Sequence, residues 1–284
     1  MSISMQTINF MKHKLLYLAI SSLVIVPGII SLFVWGLKPA IDFTGGSLWE
    51  IRFNEQVSLS ELGDNFQNSG DNQFLVRLKP TSEEEKNKMG EELERKFGKF
   101  EEIRFETVGP TLGKELLVKT LIAVLLAAGA ILSYVGWRFK NKMYGLCAII
   151  AMFHDTLVLI GTFSLLGHFF GVEVDTLFVT AVLTTLSFSV HDTVVVYDRI
   201  RESALHNKRG GMEFLANKAV TETMIRSLNN SLTILFMLTA LVVLGGVTVK
   251  WFAAALLIGT IAGTYSSPFV AVPLLVVADK LKAR

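Results

Sequence analysis

The chain has 284 residues, of which 51% are apolar, and a mean hydropathy of +0.48. That exceeds what an ordinary soluble domain carries, so a membrane class is the first expectation. The net charge of +2 decides little, because the 27 basic and 25 acidic residues are spread unevenly; the single cysteine, Cys147, excludes an intramolecular disulfide and a cysteine metal site.

Residues 1–14 form a basic N-terminal segment, in which Met5, Ile8 and Met11 mark one face of a short helix lying on the membrane. The first apolar run, Leu15 to Leu37, carries no charge and is too long for a signal peptide. It predicts a retained spanning helix, since about 20 apolar residues cover a bilayer core of roughly 30 Å.

Between residues 38 and 115 the composition becomes that of a soluble domain. Ser47–Phe53, Phe74–Leu78 and Glu102–Val108 alternate like half-buried strands. Ser58-x-x-Glu61 and Ser82-x-x-Glu85 read as capping boxes that open two helices. The order β-α-β-α-β predicts a small α+β domain of the ferredoxin-like type with its helices on one face of the sheet. Gly109-Pro-Thr-Leu-Gly-Lys-Glu115 has the wrong spacing for a phosphate loop and lacks the magnesium-holding hydroxyl. No catalytic constellation, metal site or cofactor site is expected, and the domain is assigned to contact with a polypeptide or another subunit.

Residues 116–278 carry five further apolar runs, about 116–137, 143–170, 176–197, 227–249 and 251–278, with a loop at 198–226 and a tail at 279–284. The short basic connections fall on one side: Lys12 and Lys14; Arg138, Lys140 and Lys142; Arg199, Arg201, Lys208, Arg209 and Lys218; Lys280, Lys282 and Arg284. Basic loops stay cytoplasmic, so both termini are expected in the cytoplasm and the 38–115 domain outside, in the periplasm. Trp35, Trp137 and Trp251 stand near span ends, where amphipathic rings prefer to lie. The whole is an α-helical polytopic membrane protein with six spans.

Ionisable residues inside spans are costly, at least about 2.5–3.5 kcal/mol on insertion scales, and they mark function. Asp155, beside His154, lies about 13 residues into the third run, near mid-membrane. Asp192, beside His191, lies roughly 9 Å inside the boundary set by Asp198. Arg226 opens the fifth run. Burial favours the neutral form of a carboxyl group and an approaching arginine the charged form, so Asp192 near Arg226 is suited to taking up and releasing a proton. The competing reading for the histidines is plain hydrogen bonding to neighbouring helices, and for Arg226 snorkelling to the boundary. Gly259-x-x-x-Gly263 in the last run permits close helix packing.

Three motifs, Ile41-Asp-Phe-Thr-Gly-Gly46, His154-Asp155 and Ser187-Phe-Ser-Val-His-Asp-Thr-Val-Val-Val-Tyr-Asp-Arg-Ile-Arg-Glu202, extend the pattern over nearly the whole chain. In them the sequence resembles the SecD/SecF family of protein-export subunits, of the resistance-nodulation-division type. The resemblance implies a non-enzymatic subunit that pairs with SecD. Such a pair assists the SecYEG channel, using the proton-motive force to draw preproteins outward from the bacterial inner membrane. Membrane lipid is an expected contact and nucleic acid is not. It further implies that Asp192 is the proton-responsive aspartate and Arg226 the functional arginine; Asp155 and His191, polar groups inside the spans, are assigned to the same proton relay. His191 replaces the asparagine usual in the family, and a second titrating group there would couple to Asp192. Asp42, Gly45 and Gly46 are motif residues at the entry to the domain, where the glycines supply positive φ for a sharp turn. Asp198, Arg199 and Arg201, with Glu202, are candidates for an ion-paired network at the cytoplasmic boundary. Two rival readings are half of a proton-driven small-molecule exporter, and a purely structural subunit in which Asp192→Asn would be silent.

Overall fold

The structure, a computed structural model, describes residues 8–63, 65–139, 141–206 and 211–282. It divides into two compact units, residues 39–123 and a second made of 1–38 with 124–284. Met5, Lys140, Lys208, Arg209 and Arg284, used above, lie outside the described residues.

Unit 39–123 opens with a one-turn helix, α2 (Ile41–Thr44), following α1 (Lys14–Val34) of the other unit. Then come β1 (Gly46–Phe53), α3 (Leu59–Leu62), β2 (Phe66–Gly70), β3 (Gln73–Leu78), α4 (Glu83–Phe97), β4 (Phe100–Val108) and the start of α5 (Pro110–Arg138). The four strands form one antiparallel sheet in the order β2-β3-β1-β4, which with the βαββαβ chain order is the ferredoxin-like arrangement. Alternation along β1 puts Trp49, Ile51 and Phe53 on one face, where they meet Phe74, Val76 and Leu93 in a core almost closed to solvent. Trp49 Nε1 donates to Glu102 Oε2 at 2.9 Å, so the indole is buried with its polar atom satisfied.

Two expectations are corrected here. Ser82 caps α4 as a full capping box, but Ser58 makes no side-chain cap; its hydroxyl bonds to Ser60 and α3 stops after one turn at Gly63, φ +93°. The chain then builds a strand that the three-strand reading lacks, because Phe66-Gln-Asn-Ser-Gly70 holds only one apolar residue. Its pairing with β3 is set by the turn at Asp71-Asn72, with Asn72 at φ +55° and its side chain donating to the carbonyl oxygens of Phe53 and Glu55.

The other unit contains α1, the remainder of α5, α6 (Lys142–Phe170), α7 (Thr176–His206), α8 (Met212–Leu244), α9 (Val247–Ser266), a π-helical turn (Ser267–Ala271) and α10 (Val272–Lys282). Among the described residues, six helical stretches are long and apolar enough to cross a membrane, the last running through α9, the π turn and α10. Small residues set the closest contacts. A Cβ on Gly161 of α6 would sit 2.7 Å from Gly28 Cα of α1, and one on Gly259 of α9 would overlap Thr185 of α7. Gly263 meets α7 at ordinary distance, so only the first glycine of Gly259-x-x-x-Gly263 is sterically required.

Helix ends depart from the apolar runs. Positions 198–226 are mostly helical, because α7 continues to His206 and α8 starts at Met212, with Ile200, Leu215, Ala216, Ala219 and Val220 buried. The fifth and sixth helices meet at Gly245-Gly246 rather than at Lys250, which lies in the first turn of α9. Met11 does not face a membrane: its side chain is fully buried in the helical core, and its N–H donates to Asn217 Oδ1 at 2.9 Å.

Candidate functional site

Asp192 lies on α7, half-buried, and its Oδ2 accepts a 2.9 Å hydrogen bond from Ser227 Oγ of α8. It opens onto a cavity of about 280 Å³ whose polar lining includes Ser187, His191, Asn230, Ser231 and Thr264. Thr264 of α9 in turn donates to Ser231 of α8 at 2.8 Å. A half-buried carboxyl in a cavity roomy and polar enough for several waters can exchange its proton without unfolding anything around it. His191 lines the same cavity but is exposed, whereas Asp192 is half-buried.

Arg226 precedes Ser227, and the Asp192 carboxyl takes its hydrogen bond from the serine, not from the guanidinium. Arg226 instead lines a second recess, about 430 Å³, together with Asp198, Arg199, Glu202 and Glu222. There Arg199 Nε donates to Glu222 Oε2 of α8 at 2.5 Å and its NH1 to Glu202 at 2.6 Å. Asp198 pairs with Arg138 at the end of α5. Arg201 is exposed and does not line this recess. Asp198 and Arg199 are thus ion-paired to residues of α5, α7 and α8.

Asp155 occupies a different environment. It is 1% exposed; its Oδ1 is 2.8 Å from His154 Nδ1 and its Oδ2 accepts from Ser266 Oγ at 2.6 Å. His154 is also buried, and its Nε2 has no hydrogen-bond partner among the described residues. Ser266 is the last residue before the π turn; Pro268 in the turn and Pro273 at the start of α10 each remove a backbone N–H and loosen the helix there. From the other side, Thr193 and Ser267 hydroxyls lie 3.1 Å apart and Tyr197 OH donates to Ala271 O at 2.7 Å. The π turn thus touches both the helix carrying Asp192 and, through Ser266, the carboxyl of Asp155. Ser227, Glu222 and Ser266 were not singled out from the sequence. Serine is too common in helices to stand out, although Ser266-Ser267-Pro268 was a visible irregularity.

The entry motif lies in the other unit. Gly45 has φ +74° and Gly46 φ +131°. A Cβ on Gly45 would sit 2.8 Å from Pro110 Cα, and one on Gly113 2.9 Å from Gly45 N, so the backbone of the motif packs directly on the first turn of α5. Asp42, in the first turn of α2, adds its negative charge to the field at Arg104.

Residues 88–281 match the family described as "Protein export membrane protein SecD/SecF, C-terminal". The chain belongs to the SecD/SecF family. Among SecD/SecF relatives, the protein translocase subunit SecF of Thermobaculum terrenum is 41% identical over 95% of this chain and 93% of its own length. The SecF subunit of Anaerolinea thermophila is likewise 41% identical, covering 95% and 94%. A crystal structure of SecDF from Thermus thermophilus, described as a translocon-associated membrane protein, superposes on the whole chain with TM-score 0.87 at 32% identity. The chain spans 40% of that longer SecDF polypeptide. Family and helices together make it a multi-pass membrane protein.

Proposed function

We propose that this chain is the SecF-type subunit of a Sec protein-export machinery, pairing with SecD in the bacterial inner membrane and assisting the SecYEG channel. In this reading it couples the proton-motive force to outward movement of preproteins, without enzymatic chemistry of its own. The observation that carries it is Asp192: a half-buried carboxyl, held by Ser227 across a helix–helix interface and open to a cavity with polar lining residues. Asp155, His191 and Arg226 complete the set of groups that hold or bias the proton, Asp155 as a sealed site one helix away. The basic loops put both termini in the cytoplasm, and the ferredoxin-like domain outside, where it meets preprotein or the partner's own domains. Lipid surrounds the exposed apolar faces of α1, α5 and α8.

The test is preprotein translocation into inverted vesicles carrying SecD and either the native chain or Asp192→Asn at matched levels, with and without a proton gradient. The gradient is expected to stimulate the native chain and not the variant. Equal stimulation of both would remove Asp192 from the coupling machinery and leave a structural subunit.

A further inference from the structure

Asp192 sits on the seam between α7 and α8, with polar groups on both sides of it. On one side of the Asp192–Ser227 contact lies the cavity lined by His191, Asn230 and Ser231; on the other, the charged recess that holds Arg226. Within that recess the two helices are joined by an ion pair, Arg199 of α7 to Glu222 of α8 at 2.5 Å. Arg199 lies about two helical turns beyond Asp192, and Glu222 about one and a half turns before Ser227, so the pair crosses the seam at the recess end. Arg199 is also held by Glu202 on its own helix at 2.6 Å, which fixes the guanidinium while leaving it able to let go of Glu222. Because Arg199 and Glu222 are only partly buried, the ion pair opens at small cost, which suits a contact that forms and breaks in each cycle.

We infer that Arg199–Glu222 is a latch on the α7–α8 seam, controlling access from the recess end to the Ser227–Asp192 contact. Both are positioning residues: they act by holding two helices together, and neither touches the Asp192 carboxyl. The inference rests on the proton-coupling reading of Asp192 above, and its test separates the two. Residue 227 is made the reporter by Ser227→Cys in a Cys147→Ser background, and the labelling rate by a membrane-impermeant maleimide is read in inverted vesicles containing SecD. Glu222→Gln and Arg199→Gln are each expected to raise that rate about three- to fivefold, the population shift that loss of a partly exposed ion pair supports. Glu202→Gln, which leaves the interhelical pair intact, is expected to raise it less. The charge-reversed double variant Arg199→Glu with Glu222→Arg is expected to return the rate toward that of the parent, which a merely structural loss would not do.

In the background with native Ser227, Glu222→Gln is expected to reduce gradient-stimulated translocation at least twofold, and the charge reversal to restore part of it. Unchanged labelling in the single variants, absence of labelling in all of them, or no rescue by the reversal overturns the latch. Raised labelling with rescue, but with gradient stimulation untouched even in Asp192→Asn, keeps the latch and overturns the coupling reading on which it was placed.

Discussion

His154-Asp155 and His191-Asp192 are the same dipeptide on two packed helices, and the fold treats them in opposite ways. At the first, both side chains are buried and bonded to each other, and Ser266 closes the second carboxylate oxygen, so both oxygens of Asp155 have a partner. At the second, the histidine is exposed and the half-buried aspartate faces a cavity that both residues line, held by one serine hydroxyl. A buried carboxyl with both oxygens bonded stabilises one arrangement of helices, whereas one held by a single hydroxyl with room for water beside it is free to change its state. Identical residue types therefore divide into a site that specifies packing and a site that responds.

The largest effect expected from this contrast is functional. Asp192→Asn should abolish gradient stimulation while the thermal unfolding midpoint of the detergent-purified SecD complex stays close to native. Asp155→Asn should do the reverse, keeping much of the stimulation but losing about 1–3 kcal/mol, because an amide cannot accept from both His154 and Ser266. If Asp155→Asn proved as inert toward stability as Asp192→Asn, the sealed site would have lost its distinction.

The histidines sharpen the same comparison. His154→Ala removes a buried ring and leaves Asp155 short of a donor, so unfolding in detergent should be easier by about 2–4 kcal/mol. His191→Ala, at the cavity rim, should stay within about 0.5 kcal/mol. Equal losses at the two positions would mean that His191 is buried in the assembled complex. Next come the serines. Ser266→Ala should cost about 1 kcal/mol of stability and leave the gradient response nearly intact, whereas Ser227→Ala should alter the gradient response with a smaller change in stability, since water in the cavity can replace its hydroxyl.

The spans were legible because a run of some 20 apolar residues has few other uses, and because bases at their ends fall with a consistent sign. Their ends were not, since α7 and α8 continue beyond the apolar windows as ordinary amphipathic helices, burying Ile200, Leu215 and Ala219. Asp192 and Asp155 stood out as charges in apolar runs. What separates them did not, because it depends on residues dozens of positions away: Ser227 on α8 and Ser266 at the π turn. The Gly28–Gly161 contact was hidden for the same reason, as neither glycine belongs to a recognisable spacing.

The smallest expected effect breaks a pairing that looked equally secure in the sequence. Ser58-x-x-Glu61 and Ser82-x-x-Glu85 have identical spacing, but only Ser82 accepts from the N–H three residues on, at 3.3 Å, while Glu85 returns a bond to the Ser82 N–H at 3.1 Å. The difference lies downstream. The Ser82 box is followed by 15 helical residues whose buried Gly90 and Leu93 face the sheet, whereas the Ser58 turn ends at Gly63 with no buried residue. A cap contributes when there is a helix to stabilise, so Ser82→Ala should weaken α4 by about 0.5–2 kcal/mol and Ser58→Ala should change little. Hydrogen exchange on the intact chain reads this directly: amide protection in the first turns of α4 should fall about twofold or more in Ser82→Ala, following from the lower end of that range. Protection around Leu59–Leu62 should be low from the outset and insensitive to Ser58→Ala. Matching losses in the two segments would show that the first box closes in solution and that α3 is longer than a single turn.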